Sequence, residues 1–186
     1  VVISLVPAGG PAALVTNAGW AYLFDADPSS PNFGTQLAWL LPTGNDYDWI
    51  GCSVALDSGL ALVGAKGADV GAINPGAAFL FDADPSSPTF GQAMVKLIAS
   101  DGGKGHNLGC SVSIADGLAL LGAEYAATTW GGTGAAYLFD VNPASPTFGA
   151  QLAKFVARNG GAGDKFGLSV SLSDGRALVG DPNHER

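Results

Sequence analysis

Short apolar stretches separated by turn residues run along the whole chain, and none of them follows a helical period. One kind of stretch alternates polar and apolar residues, as at 111–114, and the stretch after it is apolar throughout, as at 60–65. Alternation over a few residues is typical of a half-buried β-strand, and a short apolar run between turns is typical of a buried one. The pattern therefore predicts an all-β protein built from antiparallel strands.

These stretches recur at a fixed interval. The strings GCSV, GCSV and GLSV stand at residues 51–54, 109–112 and 167–170, so successive copies lie 58 residues apart. The strings YLFD, FLFD and YLFD stand at residues 22–25, 79–82 and 137–140. A constant period of this length predicts a repeat protein whose units stack on one another.

Each repeat unit is predicted to hold four strands. In the copy at the centre of the chain they cover 53–56, 60–65, 77–81 and 92–98, and we term them the first to fourth strands of a unit. Ser58-Gly59 suits the tight turn between the first two strands, because Gly accepts a positive φ. Pro85 and Pro88 cannot donate a ladder hydrogen bond and belong to the connection before the fourth strand. A lone four-stranded sheet cannot bury both faces, so the units are expected to pack as propeller blades.

The chain enters and leaves the repeat out of step. By their spacing, residues 1–6 match a second strand, and residues 168–172 and 177–180 match a first and a second strand. We therefore expect a single repeat domain over 1–186, with blades at 51–108 and 109–166 and a ring-closing blade made from 1–50 and 167–186. The predicted fold is a small β-propeller-like toroid of about three four-stranded antiparallel blades, with one surplus terminal strand.

The surplus strand suggests a function in assembly. Segments 1–6 and 177–180 compete for one second-strand position, and an unpaired strand exposes backbone groups that pair with another chain. One hypothesis is a structural subunit that polymerises by donating a terminal strand, and the other is a fragment of a larger propeller. The predicted donor strand consists of Val1, Val2, Ile3, Ser4, Leu5 and Val6. Four tryptophans do not repeat and are candidates for subunit contacts or a ligand face: Trp20, Trp39, Trp49 and Trp130.

Composition excludes some classes of partner. Charged residues make up 13% of the chain and the net charge is −8, so a basic face for a nucleic acid is not expected. No run of 18 apolar residues exists, so no membrane span is predicted. The start at Val1, without a basic leader, fits both a mature exported protein and a fragment.

The sequence offers no recognisable catalytic set. A serine nucleophile needs a nearby base, and His106 and His184 do not repeat with the serines and are expected to be solvated surface residues. The glutamates also do not repeat, and no phosphate-binding loop of the Walker type is present. We expect no enzyme activity, no catalytic residues and no cofactor.

Two cysteines occupy the same position in successive units. Cys52 and Cys110 lie on the predicted first strands of neighbouring blades, and Leu168 fills the position in the last unit. A disulfide between them requires Cα atoms within about 7 Å of each other. The alternative is a pair of small buried thiols, since Cys is often a core residue. Zinc is not expected with two thiols and no repeating His.

Recurring carboxylates precede the prolines of each unit. Asp82 and Asp84 have counterparts at Asp25, Asp27 and Asp140. Two carboxylates fall short of the six to eight oxygens that calcium requires, so we expect no metal here and interpret them as Asx turns that cap backbone amides. The Gly-rich loops 101–107 and 159–164 have acidic ends that would suit an ion, but their glycines more simply serve positive φ.

The repeated strings resemble the FG-GAP repeat of integrin α-type β-propellers and their bacterial secreted relatives. The resemblance covers nearly all of residues 1–182 and is best at 108–140 and 166–181, where Phe166-Gly167 stands as the opening pair. It implies one blade per repeat, an extracellular location, and a partner that is either another copy of the chain or a cell-surface or matrix ligand. With three units, the chain looks closer to the toroid-like subunits of extracellular bacterial filaments. The Asp-x-Asp-x-Asp-Gly loop of calcium-binding copies is not present.

Overall fold

The computed structural model describes residues 19–42, 49–69, 74–126 and 132–184. Within these ranges the chain forms twelve β-strands and no helix, so none that could span a membrane. The strands are β1 (Ala21–Phe24), β2 (Gln36–Leu40), β3 (Ile50–Asp57), β4 (Leu60–Ala65), β5 (Ala77–Asp82), β6 (Ala93–Leu97), β7 (Leu108–Ala115), β8 (Leu118–Ala123), β9 (Ala135–Asp140), β10 (Gln151–Phe155), β11 (Val170–Ser173) and β12 (Arg176–Val179).

The strands form two complete blades and two half-blades. Strands β3–β4–β5–β6 make the first full blade, and β7–β8–β9–β10 make the second, each an antiparallel sheet in sequence order. Strands β1–β2 form an N-terminal half-blade that corresponds to a third and a fourth strand. Strands β11–β12 form a C-terminal half-blade that corresponds to a first and a second strand. The predicted all-β, propeller-like architecture is confirmed.

Pairing registers are the same in both full blades. Leu62 on the second strand lies opposite Leu80 on the third, and Leu120 lies opposite Leu138 in the same way. The third and fourth strands pair with a register irregularity in every copy. Equal registers follow from the repeated sequence, because a shift of one residue would turn every buried side chain to the opposite face of the sheet.

Neighbouring blades pack face to face, and the core lies between them. The cluster between the two full blades joins Leu62, Leu80 and Leu97 of one to Tyr137 and Phe139 of the next, all nearly or fully buried. Two further clusters fill the junctions between the full blades and the half-blades on either side. Each sheet therefore buries its apolar faces against its neighbours, as the repeat predicts.

Two glycines allow the blades to approach closely. A Cβ on Gly64 would lie 2.1 Å from the carbonyl oxygen of Gly109 on the next blade, and a Cβ on Gly122 would lie 1.9 Å from that of Gly167. Real side chains never approach backbone so closely, so the position requires Gly. The same carbonyls accept hydrogen bonds from the hydroxyls of Ser53 (2.7 Å) and Ser111 (2.8 Å).

The ring predicted from the sequence is not closed. The ring-closing blade would place β12 beside β1, but the two half-blades remain separate two-stranded sheets at opposite ends of the stack. Three blades fall below the four to eight that complete a propeller, so closure would demand an unusually tight curvature. The predicted donor strand at residues 1–6 lies outside the described residues.

Candidate functional site

The outer face of each half-blade exposes side chains that are buried in the full blades. Leu178 is 73% exposed, whereas its counterparts Leu62 and Leu120 are fully buried. On the N-terminal half-blade Tyr22 and Phe24 are 52% and 54% exposed. Their counterparts in the full blades are all nearly or fully buried: Phe79, Phe81, Tyr137 and Phe139. These repeat positions are thus covered by a neighbouring blade in the full blades and left uncovered in the two half-blades at the ends of the row.

An apolar cavity of about 560 Å³ lies between the second full blade and the C-terminal half-blade. Leu138 and Phe155 contribute to its wall together with Leu172 and Val179. The counterparts of Leu138 and Phe155 in the first full blade are fully buried. They belong to the same cluster as the aromatic rings on the third strand of the second full blade. The cavity marks the place where a third strand beside β12 would insert its aromatic side chains.

Tryptophans enlarge the exposed apolar surface of the N-terminal half-blade. Trp39 packs edge to face against Trp20, with ring centroids 5.9 Å apart, and against Tyr22 at 6.5 Å. Trp49 is half exposed at the junction with the first full blade, where the Lys66 ammonium lies 5.1 Å from its ring. Three of the four predicted contact tryptophans therefore lie at this end of the stack, and Trp130 lies outside the described residues.

The repeated aspartates form turns, as the Asx-turn interpretation predicts. Asp82 Oδ1 accepts a hydrogen bond from the amide of Asp84 at 3.0 Å, and Oδ2 accepts from the hydroxyls of Ser87 and, at 2.5 Å, Thr89. Those hydroxyls, with Ser87 first, lower the pKa of Asp82. Both carboxylate oxygens are thereby used within the turn.

Both cysteines are free thiols that face the next unit. Cys52 is exposed and lies 3.3 Å from the carbonyl oxygen of Gly109, whereas Cys110 is partly buried and lies 3.6 Å from that of Gly167. Burial raises the pKa of Cys110 to about 11. The disulfide stays a prediction, since the thiols are not joined here.

His184 lies partly exposed at the surface, where it pairs with two aspartates. Its Nδ1 lies 2.8 Å from Oδ2 of the buried Asp164 and 3.7 Å from Oδ2 of Asp181. The hydrogen bond to Asp164 raises the pKa of His184 and lowers that of Asp164, whereas burial raises that of Asp181. Sequence reasoning missed this group because Asp164 lies 17 residues before Asp181 and 20 before His184, although the departure of Asp181 and His184 from the repeat is visible in the sequence.

The other histidine is partly buried rather than solvated. The Nδ1 atom of His106 accepts a hydrogen bond from the amide of Gly103 at 3.0 Å, and burial lowers the pKa of the ring. It therefore has a structural function in the loop that precedes β7.

Comparison with protein families matches the FG-GAP repeat in three places, at residues 35–81, 92–139 and 150–186. The chain belongs to the FG-GAP repeat family. The matched segments contain nearly all of both full blades, the C-terminal half-blade and β2 of the N-terminal half-blade, so the FG-GAP unit and the four-strand unit described above are the same 58-residue repeat. FG-GAP repeats are typical of extracellular and cell-surface proteins.

Comparisons with whole proteins add nothing to the FG-GAP assignment. The search of curated proteins found no match. Among solved structures, the computationally designed Ika8 protein is 13% identical with a TM-score of 0.37, over 81% of this chain and 47% of Ika8. The designed Ika4 protein is 12% identical with a TM-score of 0.37, over 82% of this chain and 96% of Ika4. The chain thus spans about half the length of Ika8.

Proposed function

We propose that this FG-GAP chain is an extracellular, non-catalytic structural subunit that joins to copies of itself by completing their blades. The observation that supports this proposal is that the two ends of the chain are complementary. One half-blade holds the first and second strands of a unit and the other holds the third and fourth. Placing β12 of one copy beside β1 of the next makes one full blade. Because this interface is head to tail, its repetition makes a filament when the rotation between copies does not close a ring.

The repeat supplies the register of this contact. In both full blades, residues of the second strand lie opposite fixed residues of the third. If β12 of one copy pairs with β1 of the next in the same register, Leu178 lies opposite Leu23 and Arg176 lies opposite Asp25. Leu60 and Leu118 face the aspartate within the full blades, so the only positively charged residue at this position stands at the open end, where it meets a carboxylate. Opposite charges directly across two strands stabilise the pair.

The contact also buries the exposed faces. Tyr22 and Phe24 of one copy would enter the cavity beside Leu138 and Phe155 of the other, just as Tyr137 and Phe139 pack in the cluster between the full blades. Leu178 would meet the first full blade of its neighbour. Burying one such side chain contributes about 1.5–3 kcal/mol, so several together support a stable contact.

The donated element is the point on which two versions of this proposal differ. In the first version it is the strand at residues 1–6, and in the second it is β11–β12. Deletion of residues 1–6 should leave folded, unassembled subunits if that strand is the donor. It should leave assembly intact or improved if β12 is the donor, since the two segments would then compete for the same position beside β1.

A single substitution tests the version in which β12 pairs with β1. Leu178→Asp should leave the isolated chain folded, since a surface change costs at most about 0.5 kcal/mol. It should prevent assembly, because the charge would be buried at the contact. Leu152→Asp is the control, since Leu152 is 49% exposed on β10 of a full blade and away from the open edge. Light scattering and electron microscopy would show polymers for wild type and Leu152→Asp only. Polymers of Leu178→Asp would contradict the version in which β12 pairs with β1.

The second candidate function is a segment of a larger, integrin-like propeller that binds a ligand or adheres to a surface. The observation that favours it is the FG-GAP family itself, together with the exposed cluster of Trp20, Trp39 and Tyr22. Further repeats of the same polypeptide would then cover both half-blades. A native polypeptide of larger mass that stays monomeric would establish this candidate and exclude the filament.

A further inference from the structure

Three side chains with metal-ligating atoms meet beside the last repeat unit. One ligand atom from each of Asp164, Asp181 and His184 lies within 4.8 Å of the other two. We propose that this cluster binds a divalent transition-metal ion, with Zn²⁺ as the representative ion and the imidazole and the two carboxylates as ligands. The proposal is independent of the assembly described above.

The distances suit a small ion. A tetrahedral zinc centre with ligands at about 2.1 Å holds neighbouring ligand atoms about 3.4 Å apart. His184 Nδ1 lies 2.8 Å from Asp164 Oδ2 and 3.7 Å from Asp181 Oδ2, on either side of that value. The adjoining cavity of about 730 Å³ is open to solvent and lined by polar groups that include Asn159 and Asn183. Water from this cavity would complete the coordination.

An unsatisfied atom provides independent support. In the part of the chain that the structure describes, Oδ1 of Asp181 is buried and has no hydrogen-bond partner. A buried carboxylate oxygen without a partner is costly, and it is rare in folded proteins unless an ion or water satisfies it. A cation that Asp181 binds through both carboxylate oxygens, together with His184, would remove that cost.

The cluster is a local departure from the repeat. Asp181 and His184 stand where the preceding unit has the fully buried Ala123 and Ala126 and the one before it has two further alanines. Asp164 stands where the preceding unit has His106. Replacement of buried apolar residues by ligating groups, in one unit only, indicates a specialised function rather than a requirement of the fold.

The surrounding backbone is nevertheless shared with the preceding unit. The amide of Gly161 donates to Asp164 Oδ2 at 2.6 Å, as that of Gly103 donates to His106 Nδ1 at 3.0 Å. The amide of Asn183 donates to the carbonyl of Asp164 at 3.1 Å, as that of Tyr125 donates to the carbonyl of His106 at 3.4 Å. The ligands are therefore held on a framework that forms without them, which suits a preorganised site.

The mixed ligand set selects the class of ion. Imidazole with carboxylates suits zinc and neighbouring transition metals, whereas calcium takes six to eight oxygens. The Asn159 side-chain amide lies 3.0 Å from His184 Nε2. When Nδ1 binds the ion, Nε2 carries the proton, and Asn159 would turn its Oδ1 toward it as the acceptor that fixes the ring.

The test uses the tag-free, metal-stripped chain and zinc chloride, titrated against a chromophoric chelator. We expect one equivalent of Zn²⁺ to bind with micromolar affinity or better, and calcium chloride not to compete. The double variant Asp181→Ala, His184→Ala introduces the residues of the preceding unit, so it should fold normally by circular dichroism and bind at least about 100-fold more weakly. Asp164→Asn, which keeps the size of the side chain, should weaken binding in the same direction.

Matched controls separate this site from the other ligating residues. His106→Ala and Cys52→Ala should bind Zn²⁺ as tightly as wild type, since neither residue belongs to the cluster. A shift of the His184 ring nitrogens in the NMR spectrum on adding Zn²⁺ would assign the ligand directly. Absence of stoichiometric binding by the wild type, or unchanged binding by Asp164→Asn and the double variant, would overturn the proposal.

Discussion

Two cysteines that share one position in the repeat lie in different surroundings. Cys52, on the first full blade, is exposed, whereas Cys110, on the second full blade, is partly buried. The thiolate is the reactive form, so burial should protect Cys110 twice, by limiting access and by raising the pKa of the thiol to about 11. At the scale of single residues, the position in the stack thus decides the chemistry of identical side chains.

Alkylation measures this difference. At pH 8 a pKa of about 11 leaves about one Cys110 thiol in a thousand ionised, so iodoacetamide should modify Cys52 and spare Cys110 in the folded chain. In denaturant both should react, which serves as the control. If neither cysteine of the folded chain reacts until a reductant is added, the disulfide hypothesis is correct and the free thiols are not the native state.

At the scale of elements, the third-to-fourth-strand turns depend on ionised aspartates. The hydroxyls of Ser87 and Thr89 lower the pKa of Asp82, and those of Ser145 and Thr147 lower that of Asp140. A carboxyl group whose pKa is lower in the folded chain stabilises the fold fully above its unfolded pKa, near 4. The stabilisation is lost as the pH falls through the folded value.

A double variant tests this pH dependence. The melting temperature of the wild type should fall as the pH is lowered from about 5 to 2. Asp82→Asn, Asp140→Asn should melt lower than wild type at pH 7 and depend less on pH across that window. Asp116→Asn, which changes an exposed turn carboxylate, should follow the wild-type profile. Parallel curves for wild type and double variant would show that these carboxylates do not contribute.

The sequence predicted these elements well because each strand carries its own local signal. Repeated strings such as YLFD and tight turns such as Ser58-Gly59 predicted the order and direction of the strands, since a two-residue turn permits only an antiparallel neighbour. Residues 168–169 were placed in a first strand that begins at Val170 instead, because strand ends depend on pairing partners. The group at Asp164 and His184 has no such signal. It arises only when a loop and the last segment of the chain meet in space.

At the scale of the whole molecule, the fold is a row of sheets. The full blades inside the row are covered on both faces, whereas each half-blade at its ends leaves one apolar face exposed. The sequence implied a closed ring because the count of strands nearly allows one. Closure depends instead on curvature, which no single residue encodes, and the row remains open between β12 and β1. Two routes would pair β12 and β1 without further repeats. Either the ring closes within one chain, or a second copy of the chain completes the blade.

Engineered disulfides distinguish the two routes. The register carried over from the full blades puts Leu178 opposite Leu23, and residues directly opposite in an antiparallel pair have Cα atoms about 4.5–5.5 Å apart, within the range of a disulfide. In a background without Cys52 and Cys110, the variant Leu23→Cys, Leu178→Cys should oxidise to a ladder of covalent multimers on a non-reducing denaturing gel. The version of the assembly in which β12 pairs with β1 requires this result.

The alternatives give different gels. Closure within one chain would produce a covalent monomer of altered mobility, with no ladder at any protein concentration. Leu23→Cys combined with Ser171→Cys is the control, since Ser171 lies on β11 and faces Leu178 rather than a neighbouring copy, so its ladder should be absent. A ladder must also become stronger as the protein is concentrated, because it records an encounter between two copies. If the control forms the same ladder, the links arise from random collision, and the register inferred from the repeat is wrong.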